Sequence, residues 1–469
     1  MNKKRTRREF MRWSALAIGG TLAACAPTPP SPTAAPPTLA TAPTAVPTAV
    51  PPTVVPTTAP PVTLSFWNMP FVTQEVSANY VKQWQTAEAQ ALPNVKVDPF
   101  YGPGDYGPLR TKYLLQANSG TPDVVEGLLE DIAVYVKQGL VEPLDDRFNA
   151  WADKSQFVQA TVSPLTINGK LYAIPYNTNA RGMVYRKDVL AQYGLSVPAT
   201  WDDLLKTAQT ITQKSNKQMF GFYVCTLVGD PRAPQEFISW YFQVSGGKDM
   251  FDTSSGTPTL VATADQLEQV LTLYHDLFTG NPSACDPNQR GTGWPVEDPG
   301  YAAGKWAMAP MGPWLWGRRS ESDTAKDILT NKTVITQLPI PQGGTHSTYL
   351  EVKPIAMNSA SKYKDAAWQL MEFICSKDEM GMWDADSGGI PARTDSLTID
   401  AFKGDIAFWV QGFGALLSQG VPISVVNWGP VNTANMQAVN YVVYGQKSPK
   451  DAATWLIDQI HGMEKAKTL

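Results

Sequence analysis

The chain has 469 residues, 43% of them hydrophobic, with 38 Lys and Arg against 42 Asp and Glu and a formal net charge of −4. That length suits two or three ordinary domains, and a mildly acidic balance without any Lys/Arg block argues against nucleic acid or polyanions as partners. The three histidines (His275, His346, His461) share no metal-ligand spacing and the four cysteines form no CxxC pair, so neither a metal nor a cofactor is expected.

The first 25 residues read as an export signal. Arg7 and Arg8 stand ahead of an apolar run, Trp13 to Ala24, too short to span a bilayer, and the run ends in Leu22-Ala23-Ala24-Cys25. Paired arginines followed by Phe10 point to the twin-arginine route. A leucine three residues before a cysteine has the form of a lipobox, so Cys25 is expected to be acylated and to hold the processed chain on the outer side of a membrane. Six cations and one anion precede Cys25, and removing their net +5 leaves −9. Residues 26–61 carry no charged or aromatic side chain, and about one in three is proline. Such a segment samples extended polyproline II, and at ~3.1 Å per residue it makes a semi-rigid stalk of about 110 Å. Its Thr/Pro content also suits O-glycosylation.

From Val62 onward strands and helices alternate, as in α/β lobes. Val62 to Trp67 alternates like a strand, Ser77 to Ala89 reads as a helix, and Asn94 to Asp98 as a short strand. Tyr106 to Asn118 is helical, and Gly120-Thr121-Pro122 turns into the apolar Asp123-Val124-Val125. Further helices are expected at Asp131–Gln138, Trp201–Gln213, Ala264–Phe278, Lys364–Cys375 and Pro449–His461. Thr200 and Ser448 stand as N-caps of two of them, with early carboxylates favourable at a helix start. Beyond Cys25, one disulfide between Cys225 and Cys285 and buried free thiols both fit the sequence.

The catalytic motifs are missing: there is no P-loop, GxSxG elbow, HExxH or GxGxxG behind a strand. Glu126 and Glu130 lie four apart, a spacing that keeps a surface-anchored glycoside hydrolase as the rival from another class. Tryptophan stands out instead. There are 15 Trp and 17 Tyr, and Trp67, Trp294, Trp314, Trp316 and Trp428 sit where the chain turns. Loop-borne indoles offer flat apolar faces on which pyranose rings stack, while Glu130, Asn68 and Asn177 offer hydrogen bonds to ring hydroxyls.

Several stretches together resemble the extracellular solute-binding proteins of ABC sugar importers, the maltose-binding-like group. They include Gly120-Thr121-Pro122-Asp123-Val124, Gly139 to Asp145, and Asn168-Gly169-Lys170-Leu171-Tyr172-Ala173-Ile174-Pro175-Tyr176. In the same order follow Val184 to Asp188, Pro198 to Leu204, Ala303 to Met308 leading into Gly312-Pro313-Trp314-Leu315-Trp316, Leu338 to Pro341, and Ala366 to Phe373. The resemblance implies a periplasmic-binding-protein-like α/β fold, with two lobes joined by a multi-strand hinge and the ligand cleft between them. Crossings are expected at Tyr176–Arg181, Leu350–Ile355 and Ser396–Phe408. One lobe would hold 62–177 with 356–397, the other 178–355 with 398–469.

By the same resemblance, Trp67 and Asn68 end a strand whose loop contributes to the cleft, and Glu130 falls where the family places a sugar-binding acid. Tyr176 and Asn177 sit at the hinge, Trp240 lies in a region that supplies an aromatic platform, and Trp314, Trp316 and Trp428 match further platforms. Glu351 and Trp383 complete the expected site. The loop after Trp67 lacks the acid and lysine of the maltose type, and Gly127 replaces an aromatic residue, which leaves the saccharide open. The expectation is a monomeric, non-enzymatic receptor that closes on a carbohydrate and delivers it to the transmembrane subunits of an ABC permease. A peptide, polyamine or glycerophosphodiester is the alternative solute.

Overall fold

The computed structural model describes residues 61–68, 88–101 and 106–469. The signal, Cys25, the stalk up to Pro60 and all but the last two residues of the helix expected over Ser77–Ala89 lie outside the described residues. Two mixed sheets organise the rest. β1 (Val62–Asn68), β2 (Val95–Tyr101) and β3 (Val124–Glu126) run parallel with β1 in the middle. β4 (Ile174–Ala180) joins this first sheet, and the chain then leaves it.

The second sheet is built without interruption from β5 (Gly182–Arg186), β6 (Phe220–Phe222), β7 (Trp306–Met311) and β8 (Thr333–Thr336), in the order β8-β5-β7-β6. β9 (Thr348–Met357) returns to the first sheet between β3 and β4. β10 (Ile390–Pro391) then pairs with β4, and β11 (Gly420–Val421) with the start of β9. Residues 395–406 connect onward through three short 3-10 turns rather than a strand. Every residue of β4 and β5 is buried, the unbroken pattern of strands covered on both faces. The passage from β4 to β5 occurs at Arg181, and Gly182 makes it sterically feasible. A Cβ there would stand 2.4 Å from Leu416 Cδ1 and 3.1 Å from the Thr336 carbonyl oxygen.

The helices that matter to the site are α1 (Tyr106–Gln116), α2 (Leu129–Lys137), α3 (Trp201–Lys214), α4 (Arg232–Ser245), α5 (Ala264–Thr279) and α6 (Trp294–Ala302). They are followed by α7 (Lys377–Ser387), α8 (Trp428–Val443) and α9 (Pro449–Lys465). Their starts follow local chemistry: the Thr200 and Ser448 hydroxyls accept from the N–H groups of Asp203 and Asp451, each at 3.1 Å. Thr263 and Gln266 cap each other at the head of α5, whose Leu267, Val270, Leu271, Tyr274, Leu277 and Phe278 form one buried stripe. That stripe packs α5 against α4, α8 and α9 behind the second sheet. Cys225, Cys285 and Cys375 are buried free thiols, so the pairing of Cys225 with Cys285 is not formed. Among the described residues no helix is long and apolar enough to cross a membrane.

Candidate functional site

Side chains alternate across a strand, so Tyr349, Glu351 and Lys353 of β9 share one face, while Leu350 and Val352 point into the core. The register sets Glu351 opposite Asn179 and Lys353 opposite Asn177, which brings Asn177, Asn179 and Arg181 onto that face too. These two strands make a polar floor where the chain passes between sheets. Asn179 Nδ2 donates to Glu351 Oε2 at 2.5 Å, and Arg181 Nη1 donates to Asn179 Oδ1 at 2.7 Å and approaches Glu351 Oε2 at 3.4 Å. Asn177 Nδ2 donates to Asp384 of α7 at 2.6 Å.

Both halves of the molecule reach onto this floor. From the first side comes Glu130, in the first turn of α2; its Oε2 accepts from the Tyr349 phenol at 2.9 Å. Glu126, at the end of β3, accepts from the Tyr106 phenol at 2.6 Å. From the second side α4 supplies Gln235, whose Nε2 lies 3.3 Å from Glu130 Oε1 and 3.4 Å from Glu351 Oε1, and whose Oε1 accepts from Arg181. Gln235 thus links Glu130 of α2 to Arg181 and Glu351 of the paired strands.

Trp314 stands over this network. The Arg181 guanidinium lies 4.3 Å from its ring centroid and that of Arg232 4.4 Å, both within cation–π range. Arg232 forks onto Asp298 and donates to Glu297 Oε2 at 3.1 Å. Lys353 Nζ sits 5.9 Å from the Tyr106 ring and 6.0 Å from the Trp314 ring. Gly312 permits the placement of Trp314: a Cβ at Gly312 would lie 1.8 Å from Trp314 Cζ3.

The acids are set apart by their partners. Burial pushes Glu130 up to about 7, helped by neighbouring Asp131 and opposed by the helix-end N–H and Tyr349. Burial also opposes the charge of Glu351, but Arg181 and Lys353 with the Asn179 amide hold it down at about 2. One carboxyl is therefore ready to take up a proton near neutrality while its neighbour stays ionised.

Beyond the network, a cavity of about 670 Å³ opens between α2, with residues 166–168, and residues 253–258 and 425–427. Ala133, Val134, Val136, Lys137 and Gln138 line it, so it borders the C-terminal part of the helix whose first turn carries Glu130.

A profile of the bacterial extracellular solute-binding protein family matches residues 80–409. The chain belongs to that family. Its members bind solutes and are not enzymes. A binding protein of Brucella abortus is 26% identical over 352 residues, covering 71% of this chain and 80% of the relative. An arabinooligosaccharide-binding protein of Halalkalibacterium halodurans is 25% identical over 311 residues, 64% of each chain. Maltose-bound MalE3 of T. maritima shares the fold at a TM-score of 0.73 and 22% identity, covering 86% of this chain and all of that one.

In this solute-binding protein the structure brings Glu130, Glu351, Asn177 and Trp314 together around the paired strands β4 and β9. Tyr176 and Trp383 stand beside them edge to face at 6.0 Å, lining a small void with Glu126 and Glu379. Trp67 and Asn68 end β1 with Lys112 4.6 Å above the Trp67 ring, and the Asn68 Oδ1 is buried without a hydrogen-bond donor. Three expected platforms are elsewhere. Trp240 is fully buried in α4, edge to face with Trp201 at 6.0 Å, because it faces α3 rather than the floor. Trp316 packs against Trp409 and Phe408 at 5.6 and 6.2 Å. Trp428 packs on Phe251, and its indole N–H donates to the Ser424 carbonyl at 2.8 Å. These three indoles are core residues.

Sequence reasoning missed Arg181, Gln235, Arg232, Asp298, Tyr106, Tyr349 and Lys353. A signal existed for two of them. Alternation along β9 puts Tyr349 and Lys353 on the face of Glu351 once that strand is recognised.

Proposed function

We propose that this protein captures an oligosaccharide between its two bodies by hinge closure and hands it to an ABC permease, tethered by acylated Cys25 on a Pro/Thr-rich stalk. The hinge is assigned to Tyr176–Arg181, to Leu350–Ile355 and to Ser396–Phe408. This divides the chain into 62–177 with 356–397 and 178–355 with 398–469. The observation that carries the reading is the network joining Glu130, Gln235, Tyr349, Glu351 and Arg181, with Trp314 beside it, where both bodies meet. Charged and amide groups of this kind suit ring hydroxyls, and the indole suits a sugar face. The cavity of about 670 Å³ beside the C-terminal part of α2 would give an extended solute more room than a single ring needs. Closure is favoured only by contacts stronger in the closed than in the open state, which Glu130 on one side and Gln235 with Trp314 on the other would supply.

The test is a thermal-shift screen over mono- and oligosaccharides followed by titration of Trp314→Ala. A true ligand at about 100 times its Kd adds roughly 2.7 kcal/mol of stability. Trp314→Ala is expected to weaken binding by about 2 kcal/mol, roughly 30-fold, while its melting temperature stays near that of the wild type. Wild-type affinity in a folded Trp314→Ala protein would overturn the assignment of the site. A cationic solute such as a polyamine is the second reading, on the buried acids Glu126, Glu130 and Glu351 gathered at this floor. A polyamine in the same screen separates the two.

A further inference from the structure

Under the second body's share of the floor, a sulfur and two carboxylates converge. Cys225 lies just beyond β6, Glu236 in the second turn of α4 and Glu297 in the first turn of α6, and each is wholly buried. One oxygen or sulfur from each lies within 4.8 Å of the others. Cys225 Sγ is 3.2 Å from Glu297 Oε2, and the Cys225 backbone N–H donates to Glu236 Oε2 at 2.9 Å. The second oxygen of each carboxylate is the telling feature. Glu236 Oε1 and Glu297 Oε1 are both buried with no hydrogen-bond donor, and so is the phenol oxygen of Tyr274. Tyr274 stands within electrostatic reach of Glu236, Cys225 and Glu297.

Cationic partners are few here. Asp230, Glu236, Glu297 and Asp298 are four buried acids, and the ion pairs among them, made by Arg232 and Arg318, reach only Glu297 and Asp298. Arg232 is committed mainly to both oxygens of Asp298, and Arg318 places Nη1 on Glu321 at 2.8 Å. Buried charge without compensation is costly, and orphaned carboxylate oxygens lose their hydration without replacement. A divalent cation would give these orphaned oxygens a partner. A thiolate with two carboxylates is a donor set of the borderline-soft kind that zinc accepts.

We propose that Cys225, Glu236 and Glu297 hold a structural divalent ion of the zinc type. The ion forms bonds to Cys225 Sγ and one oxygen of each glutamate, and the thiol proton leaves to solvent. Because all three ligands are sealed from water, the ion enters as the second body folds. It ties the loop after β6 to the heads of α4 and α6, which carry Arg232, Gln235 and Asp298, and so it positions the wall against which Trp314 lies. Spacing could not reveal it, since the ligands stand 11 and 61 residues apart and include no histidine.

The full chain is unfolded in urea with a chelator, refolded with Zn2+ or Co2+, freed of excess ion by gel filtration and assayed by elemental analysis. One ion per chain is expected to remain, and the cobalt form should show thiolate-to-cobalt absorption. Cys225→Ser should abolish that band, and Glu236→Gln should lower the retained metal at least about tenfold, while Cys285→Ser, another buried thiol, keeps both. A folded wild type that retains no ion means that protons neutralise the glutamates, and this overturns the proposal. So does cobalt bound without the thiolate band. Should Cys225→Ser fail to fold, the wild-type cobalt spectrum alone decides, and no outcome depends on the solute.

Discussion

Glu130 and Glu351 show how neighbouring acids part company. Glu130 has a usual value of 4.5 and is raised to about 7 by burial. Folding therefore favours its protonated form: the associated stability is fully present below 4.5 and is lost as pH rises through 7. Glu351 behaves in the opposite sense. Its contribution is present above 4.5 and is lost as pH falls toward 2, because Arg181 favours the charge. Glu130→Gln keeps an acceptor for Tyr349 and removes the titration. Urea unfolding should show the stability of the variant relative to wild type rising between pH 4.5 and 7 and levelling above. Parallel pH curves for the two proteins would refute this account of Glu130. Legibility follows the same division: Glu130 and Glu351 were expected from the resemblance, whereas Arg181 was expected only as the end of a crossing, because its contacts depend on partners 54 and 170 residues away.

At the scale of elements, the turn before Trp314 is the tightest constraint on the site. Gly312 is extended with φ −127, so its conformation is open to any residue; space, not dihedral preference, demands glycine. Gly312→Ala should push the indole off its seat between Arg181 and Arg232. We expect solute binding to fall about tenfold or more, with a smaller loss of stability, typically 1–3 kcal/mol for overpacking. Titration and urea denaturation on the same preparation test this, and unchanged affinity would show that Trp314 does not need its seat. The helices were readable because their determinants are local. Thr200, Thr263 and Ser448 are caps within one turn of what they cap, and the observed starts of those helices coincide with the expected ones. Strand pairing was less readable, since β9 lies between β3 and β4 at a separation of more than 170 residues.

For the whole molecule, the proposed function requires relative motion of two bodies about β4–β5 and β9. Small-angle scattering should show a smaller radius of gyration with solute than without, and Trp314→Ala should need more solute for the same change. An identical scattering profile at saturating solute would exclude closure as the mechanism of capture. Order along the chain carried the family membership and the α/β alternation, because motif spacing and helical or strand periodicity are properties of consecutive residues. The absence of catalytic motifs was likewise visible there. Which indoles lie in the core was not. Trp240, Trp316 and Trp428 occupy turns and helix positions much like that of Trp314, and only packing against Trp201, Trp409 and Phe251 commits them to the core. The same holds for Gln235 and for the cluster of Cys225, Glu236 and Glu297, whose members meet only after three elements fold together. An indole or a carboxylate takes its role from what surrounds it, and in a fold whose chain leaves one sheet and returns, those surroundings come from residues far away in sequence.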